Sequence, residues 1–312
     1  MNHPEFLAGA KCCVCGNEKP ERFSVRFEKN NLHVVECNEC SFTFIPPFYR
    51  KQIRYEHYKD EAVTQAIRSG NNWLKIQRHK LRFKLIKKYK KNGSLFDLGA
   101  GWGHFMLAGQ ELGYDVYGIE ISEQNYLYAK NDLNLPVDKM DFFDMTEEKK
   151  FDIVTLWDVL EHIDDANPFV AKCAAVTKSG GILVLQVPQI DSYIAKRKKE
   201  KWLMMGLDHV NYFSKKTIRQ ILSQHGFEVI KIKSSIELKL FLLYSVFPKK
   251  LKKKNPESTQ PVTSAQRQEY FNKVTKRPMW QLKIFVFFHN IAYRMLSCMR
   301  IGEEMIVVAK RK

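Results

Sequence analysis

Residues 95–105 read LFDLGAGWGHF, and a second apolar stretch, VYGIEIS, follows at residues 116–122. The run at 95–98 is short and apolar, as in a buried parallel strand. Three glycines come next, Gly99, Gly101 and Gly103, and they let the backbone turn tightly and approach a ligand without a Cβ in the way. This stretch predicts a strand, a ligand-binding turn and a helix at the edge of a parallel sheet.

Asp97, two residues before the first glycine, distinguishes two classes of cofactor. A dinucleotide site has the pattern G-x-G-x-x-G and binds a pyrophosphate at the helix N-terminus. Here Gly103 comes one residue early, His104 stands in its place, and a carboxylate at position 97 would repel phosphate. Asp97 suits an ammonium and a sulfonium instead, and Glu120, at the end of the second strand, can accept hydrogen bonds from both ribose hydroxyls. We therefore expect S-adenosylmethionine; an incidental glycine-rich turn is the alternative.

The composition is that of a globular protein with anionic partners. Hydrophobic residues make up 45% of the 312 residues, and the formal net charge is +17. Such a charge favours nucleic acid, an acidic membrane surface or phosphorylated substrates. The N-terminus lacks the basic and apolar regions of a signal peptide, and no run reaches the roughly 18 apolar residues of a spanning helix. A cytoplasmic location is expected.

Two C-x-x-C pairs lie in residues 1–45: Cys12 with Cys15, and Cys37 with Cys40. Their separation of about twenty residues matches a structural zinc site with four thiolate ligands. Short strands are expected between the pairs, at 23–27 and 32–35. So small a module has little core, and metal binding would supply its folding energy. We expect a zinc ribbon; reduced cysteines without metal, or a redox pair, are the alternatives.

The remaining chain divides by its sequence pattern into linking helices, an α/β domain and an insertion at residues 237–300. Residues 46–92 are basic with apolar residues at helical spacing, and are expected to form linking helices whose Lys/Arg face is solvated or binds nucleic acid. Residues 93–236 and 301–312 are expected to form the α/β cofactor-binding domain. Its further strands are placed at 116–119, near 137, and at 151–156, 182–188, 227–233 and 304–310, with Ser214 as the N-cap of a helix at 215–225.

The sequence WDVLEHIDD follows the fourth of these strands and lies where open parallel sheets bind ligands. It places Trp157 beside the cofactor, and one helical turn could present Asp158, Glu161 and His162 together. These three could bind a divalent cation, or His162 could act as a general base. In the third interpretation Asp158 caps a helix, while Glu161 and His162 form hydrogen bonds near the cofactor.

Two further segments are expected near the ligand. Asp141 with Phe142 could hold an adenine, with the carboxylate accepting from the exocyclic amine and the ring packing on the base; a plain loop acid is the alternative. The long polar and aromatic segment that contains Trp202, His209 and Tyr212 is a candidate substrate lid, or else a core-packing connection.

Residues 237–300 are far longer than a connection between two strands needs. They contain two apolar, aromatic segments with basic flanks, and these suit helices that lie on anionic lipid. The alternative is a helical cap that buries its apolar face on the domain or on a second subunit. Peripheral contact with the inner face of a membrane therefore stays open.

With these motifs in place, the chain resembles a class I S-adenosylmethionine-dependent methyltransferase with an N-terminal zinc ribbon. LFDLGAGWGHF is similar to the first motif of that family, CNECSFTFIPP resembles the ribbon's closing segment, and DHVNYFS resembles a segment before the family's late helix. The resemblance implies a Rossmann-like sheet of seven strands, six parallel and one antiparallel, with helices on both faces. It also implies that the first motif contacts the methionine part, Glu120 the ribose, and Asp141 with Phe142 the adenine.

WDVLEHI is also similar to the E-x-x-E-H motif of quinone O-methyltransferases and small-RNA methyltransferases, whose acids and histidine bind a divalent metal. The first acid here is Asp158, which has a shorter reach than glutamate. The prediction is O-methylation of a small or lipid-linked polar substrate, such as a glycan intermediate, with Asp158, His162 or His209 handling the hydroxyl proton. The alternatives are an RNA base methyltransferase and a non-catalytic binding protein of the same fold.

Overall fold

The computed structural model describes residues 4–29, 31–50, 72–202, 204–205, 208–235, 278–298 and 302–312. An N-terminal module contains three strands: β1 (Phe23–Lys29), β2 (Leu32–Cys37) and β3 (Thr43–Phe44). β1 pairs antiparallel with β2, and β2 with β3. The two strands expected between the cysteine pairs are present, and both extend beyond their predicted ends.

A seven-stranded mixed sheet forms the centre of the protein. Its strands are β4 (Ser94–Leu98), β5 (Asp115–Glu120), β6 (Val137–Lys139), β7 (Phe151–Trp157), β8 (Thr177–Pro188), β10 (Phe227–Ser235) and β11 (Glu304–Arg311). Their order is β10-β11-β8-β7-β4-β5-β6. β11 is antiparallel to β8 and β10, whereas the pairs among β4 to β8 are parallel. The predicted Rossmann-like sheet, six strands in one direction and one reversed, is confirmed.

The remaining strand, β9 (Asn211–Tyr212), belongs to the other sheet. It pairs antiparallel with β3, which gives the small sheet the order β1-β2-β3-β9. A hydrophobic cluster crosses the same boundary, since Val34 and Ile45 of the module pack with Trp202 and Tyr212. The module is therefore continuous with the rest of the protein through both a sheet and a core.

The described helices cover both faces of the large sheet, except for the first and the sixth, which pack in the cluster shared with the N-terminal module. They are α1 (Pro47–Arg50), α2 (Asn72–Ile86), α3 (His104–Glu111), α4 (Glu123–Leu127), α5 (Ala166–Val176), α6 (Tyr193–Lys198), α7 (Lys215–Gln224) and α8 (Met279–Cys298). Ser214 caps α7 through a reciprocal pair of hydrogen bonds with Thr217, as predicted for this position. The linking helices expected over 46–92 are described only at α1 and α2, since residues 51–71 lie outside the described part of the chain.

Alternation along the strands divides the apolar core into two layers. Phe96 of β4 and Val154 of β7 point into one cluster, which extends to the cysteine module and to α5 and α7. Their neighbours Leu95 and Ile153 point into the other, which α2 and α3 cover. Because period-two alternation buries both faces of these strands, their ends at the carboxyl edge are held rigidly.

Helix α8 is the described part of the predicted insertion at 237–300; residues 236–277 and 299–301 lie outside the described residues. Its Leu282 is buried, and its other face carries exposed apolar side chains, among them Trp280, Phe287 and Phe288. None of the helices in the described ranges is long and apolar enough to cross a membrane.

Candidate functional site

Asp97 lies one residue before the end of β4, at the carboxyl edge of the sheet. Its carboxyl group is buried, and Oδ1 accepts a 2.6 Å hydrogen bond from the Oγ1 hydroxyl of Thr155 on β7. Burial raises the pKa of Asp97 to about 7, against the lowering effects of this hydrogen bond and of the Arg82 charge. A cationic ligand group at this carboxyl would favour its ionised form.

The glycine turn after β4 has positive φ at all three glycines, +74° at Gly99, +54° at Gly101 and +73° at Gly103. A Cβ at Gly99 would lie 2.9 Å from Val159 Cγ2, and a Cβ at Gly103 only 2.6 Å from Leu135 Cδ1. At Gly101, by contrast, it would meet no atom of the described residues within 4 Å. The outer glycines allow close packing, and the middle one faces open space that a ligand can approach.

Glu120, the last residue of β5, is fixed against this turn. Its Oε2 accepts from the Gly101 N–H at 2.6 Å, and its Oε1 accepts from the Ser122 N–H at 2.8 Å. Burial raises the pKa of Glu120, and the backbone hydrogen bonds oppose that rise. The Ile121 backbone and the Asn125 side chain also form hydrogen bonds with this carboxyl group, so its position is firmly held. Ile121, next in the chain, is 67% exposed; the sequence analysis missed it, although an apolar residue directly after the acid was a usable signal.

Asp141 and Phe142 follow β6, but they do not present their side chains together. Asp141 is exposed, and its Oδ1 accepts a 2.8 Å hydrogen bond from the Phe143 N–H. The ring of Phe142 is only 4% exposed and packs against Phe169, whereas Phe143 is 50% exposed. This burial gives no support to base packing by the Phe142 ring, and Phe143 is the accessible aromatic side chain of the segment.

Trp157 and Asp158 at the end of β7 belong to a network that includes an arginine from α2. The guanidinium of Arg82 lies 4.0 Å from the Trp157 ring centroid and 3.8 Å, through Nη2, from Asp158 Oδ2. Gln186 donates through Nε2 to Asp158 Oδ1 at 2.9 Å and to Glu304 at 3.0 Å. Asp158 has φ +59°, in the left-handed region. The short 3-10 helix Leu160–His162 begins after Val159 without a side-chain cap, so the N-cap interpretation of Asp158 is wrong.

Glu161, His162 and His209 are brought together beside this network, with one potential ligand atom from each within 4.8 Å of the others. His162 Nδ1 lies 2.7 Å from the Asp208 carbonyl oxygen, and His209 Nδ1 lies 2.6 Å from that of Met204. A carbonyl only accepts, so both Nδ1 atoms donate. The sequence grouped Asp158 with Glu161 and His162; the structure replaces Asp158 by His209.

Burial controls the charge of this group. It raises the pKa of Glu161 well above its ordinary value, and the neighbouring Asp158 carboxylate adds to the rise. It also lowers the pKa of His209, with the nearby His162 as the next largest cause. The Oε2 atom of Glu161 is buried without a hydrogen-bond partner in the described chain. An unpaired buried carboxyl oxygen beside two imidazole side chains is a set of groups suited to a cation, which would favour the ionised form of Glu161.

The segment that carries His209 is not an exposed lid. Trp202 and Tyr212 are fully buried, and both pack in the cluster shared with the N-terminal module. The Tyr212 hydroxyl donates to the His209 carbonyl at 2.9 Å, within the same segment. The core-packing alternative is therefore the correct one for the described part of the segment.

The four cysteines of the C-x-x-C pairs form a second cluster, far from the histidines in the fold. Sγ–Sγ distances are 3.5 Å between Cys12 and Cys40 and 3.6 Å between Cys15 and Cys37. All four sulfur atoms lie within 4.8 Å of one another. The pKa of Cys40 is lowered to about 6, chiefly by the hydrogen bond from Cys12. This arrangement of four sulfurs is compatible with a tetrahedral zinc site.

Comparison with known proteins agrees with this architecture. A family model described as a methyltransferase domain matches residues 74–232. A ubiquinone biosynthesis O-methyltransferase from Rhodopseudomonas palustris (strain BisB18) is 34% identical over 96 residues, which are 29% of this chain and 38% of that protein. The protein of that name from Coxiella burnetii is 33% identical over 99 residues, 30% of this chain and 42% of its own length. The chain thus spans well under half the length of these relatives.

Two solved structures are similar at low sequence identity. One is a methyltransferase from Thermotoga maritima described as a possible histamine N-methyltransferase, with TM-score 0.45, 17% identity, and coverage of 77% of this chain and 93% of that chain. The other is a methyltransferase from Archaeoglobus fulgidus, with TM-score 0.48, 19% identity, and coverage of 78% and 95%. Because the family model spans half of the sequence, the chain belongs to the methyltransferase-domain family.

Proposed function

We propose that this protein is an S-adenosylmethionine-dependent methyltransferase that acts on an oxygen of a small or lipid-linked polar substrate. One observation carries the cofactor assignment: two buried carboxyl groups, Asp97 and Glu120, flank the open space at Gly101. Asp97 suits an ammonium group, and the carboxyl group of Glu120 suits ribose hydroxyls. These residues fit S-adenosylmethionine better than a dinucleotide, whose pyrophosphate would meet the Asp97 carboxylate.

The bound cofactor would supply a methyl group already activated on a sulfonium. The protein then has to align the acceptor, exclude water and remove a proton. The curated relatives are named O-methyltransferases, which favours a hydroxyl acceptor. His162 or His209 is the proposed base for its proton, and a backbone carbonyl fixes the Nδ1 side of each ring. Asp158 is a weaker candidate, since Gln186 occupies one of its oxygens.

A divalent cation fits the group of Glu161, His162 and His209. Two imidazoles and one carboxylate favour a first-row transition metal such as Mn²⁺ or Zn²⁺ over Mg²⁺. Such a cation would polarise the acceptor hydroxyl, and the unpaired Oε2 of Glu161 would be one of its ligands. Mn²⁺ titration followed by electron paramagnetic resonance tests this: binding should be lost in Glu161→Gln and kept in Glu147→Gln, a control at an exposed residue.

The reaction itself is tested by methyl transfer from radiolabelled S-adenosylmethionine. Aromatic hydroxyl compounds, lipid-linked sugars and RNA are offered side by side to the purified protein. The proposal is supported if the label appears on an aromatic hydroxyl compound or a lipid-linked sugar and is lost after a brief treatment that cleaves methyl ethers. Label on RNA bases would replace it with the RNA alternative, and cofactor binding without any transfer would favour a binding protein.

We assign structural zinc to the four cysteines of the N-terminal module, because their sulfurs converge and Asn17 Nδ2 lies 3.8 Å from Cys37 Sγ as a hydrogen-bond donor. Elemental analysis should find one zinc per chain. Cys37→Ser should lower that content, whereas Cys173→Ser, which alters a buried cysteine outside the cluster, should leave it unchanged.

We also propose that α8 contacts a membrane surface peripherally. Its exposed face carries Trp280, Ile284, Phe287, Phe288, Ile291 and Met295, which share one side of the helix at its 3.6-residue period. Lys283 lies exposed beside them, and the net charge of +17 favours an anionic surface. Vesicles with phosphatidylglycerol should sediment the protein, and Phe287→Ser with Phe288→Ser should reduce that binding. Equal binding by both proteins would contradict the proposal.

A further inference from the structure

The N-terminal module contacts the segments that hold the histidine group at several points, and none of these contacts involves the four cysteine sulfurs. The first is a backbone relay through Val210. The Ile45 N–H, just after β3, donates to the Val210 carbonyl at 2.9 Å, and the Val210 N–H donates to the Glu161 carbonyl at 2.8 Å. One residue therefore joins the module to the turn that carries Glu161 and His162.

Asn211, on β9, completes this connection with its side chain. Its Nδ2 donates to the Ile163 carbonyl at 2.6 Å and to the Leu160 carbonyl at 3.3 Å, so one amide spans the turn between them. Its backbone pairs with Phe44 of β3. Both Asn211 and the Leu160 side chain are buried, and hydrogen bonds in such surroundings hold geometry firmly.

At the opposite edge of the small sheet, β1 contacts the backbone that surrounds His209. Lys29, the last residue of β1, donates through Nζ to the carbonyls of Met205 at 2.5 Å and Trp202 at 3.3 Å. Between these two in the chain lies Met204, whose carbonyl accepts from His209 Nδ1 at 2.6 Å. Half-burial lowers the pKa of Lys29. Its ammonium group fixes the backbone that orients His209.

The module's own strand geometry depends on the second cysteine knuckle. The Cys37 N–H donates to the Phe42 carbonyl at 2.8 Å, and the Ser41 N–H donates to the Cys37 carbonyl at 2.7 Å. Thr43 and Phe44 follow at once as β3. Loss of order at Cys37 and Cys40 would therefore reach β3 within three residues, and β9 through β3.

We propose that the N-terminal cysteine module is a positioning element of the methyl-transfer site, which it holds through β9, with Asn211 and Lys29 as its positioning residues. The module acts on Glu161, His162 and His209 without touching the substrate, so folding of the cysteine cluster and assembly of the histidine group are coupled. The catalytic meaning of this coupling rests on the proposed function. The coupling itself is a property of the fold and can be measured without any reaction.

The test is hydrogen–deuterium exchange on the full chain, with Asn211→Leu and Lys29→Met as the variants. Asn167→Leu is the matched control, because Asn167 Nδ2 also donates one hydrogen bond across the interface, to the Cys13 carbonyl at 3.0 Å, away from the histidines. Loss of the Asn211 bonds should speed exchange in peptides over 157–165 by about five- to tenfold. Lys29→Met should act on 204–213, and the control on neither. Equal behaviour of Asn211→Leu and Asn167→Leu overturns the proposal.

Two further measurements distinguish the positioning role of the module from the proposed methyl-transfer function. Cys37→Ser, which leaves the side chains of the histidine group in place, should raise exchange at 157–165 and 208–213 as well as at 10–45, and a rise confined to 10–45 contradicts the coupling. In the methyl-transfer assay, Asn211→Leu should lower kcat about tenfold and leave the KM for S-adenosylmethionine unchanged. If the native protein shows no methyl transfer, the proposed function fails, but the exchange comparison still decides the positioning role.

Discussion

The cofactor edge at β4 and β5 and the histidine group beyond β7 are assembled in different ways. Asp97, the glycine turn and Glu120 come from one continuous stretch, and their mutual contacts are local, such as the 2.6 Å bond from the Gly101 N–H to Glu120. The histidine group takes Glu161 and His162 from one segment and His209 from another, and a third segment near the N-terminus holds them. A local site is specified by its motif, whereas a composite site depends on long-range pairing.

The largest expected effect at the cofactor edge is the loss of ligand affinity in Asp97→Asn. The amide keeps the size and can still bond Thr155, but it removes the negative charge that we propose binds the cofactor's ammonium group. S-adenosylhomocysteine should bind about 10- to 100-fold more weakly, the range of a charge-assisted hydrogen bond. Calorimetric titration measures it, with Asp115→Asn at the exposed start of β5 as control. Adenosine, which lacks the ammonium, should bind both variants as it binds the native protein.

A change of pH should act on the same carboxyl group. Its pKa is raised to about 7 by burial, so it is mostly ionised at pH 8 and mostly protonated at pH 6. A cationic ligand binds the ionised form, and affinity should therefore fall as pH falls, by about tenfold between pH 8 and pH 6. The dependence should vanish in Asp97→Asn. A flat profile in the native protein would show that Asp97 does not face the ammonium.

The substitution Glu120→Gln tests the proposed contact between Glu120 and the ribose of the ligand. The glutamine has one acceptor oxygen, so either the Gly101 or the Ser122 N–H loses its acceptor, and the ribose loses a carboxylate. Binding of S-adenosylhomocysteine and of adenosine should both weaken by about tenfold. This shared loss distinguishes the variant from Asp97→Asn. Loss of only one of the two ligands would contradict the assignment of Glu120 to the ribose.

The smallest expected effects come from the glycine turn. Gly103→Ala would place a Cβ 2.6 Å from Leu135, at positive φ, and should lower the free energy of unfolding by about 2 kcal/mol. Gly101→Ala meets open space and should cost only about 1 kcal/mol from its positive φ, yet it should weaken cofactor binding. Urea unfolding and calorimetry on both variants separate packing from ligand approach. Equal ligand affinity in Gly101→Ala and the native protein would count against a ligand at the turn.

The sequence was informative where contacts are local. The strands of the large sheet and the clustering of the cysteine pairs follow from runs, turns and spacing, all within short stretches, whereas the one reversed strand was expected only from the family resemblance. The pairing of β3 with β9 could not be predicted, because two strands of two residues each carry no periodicity. Nor could the approach of His209 to Glu161 and His162, because His209 lies more than 40 residues further along the chain. Gln186, alone among apolar residues in ILVLQVP, was an available signal that was missed.

The most direct test of the account is calorimetric titration of the native, zinc-loaded protein with S-adenosylhomocysteine at pH 8. The account predicts one site per chain with a dissociation constant on the order of micromolar, weakened in Asp97→Asn and Glu120→Gln. Absence of binding by a folded sample with its metal in place would contradict it. The carboxyl groups around Gly101 would then serve the fold alone.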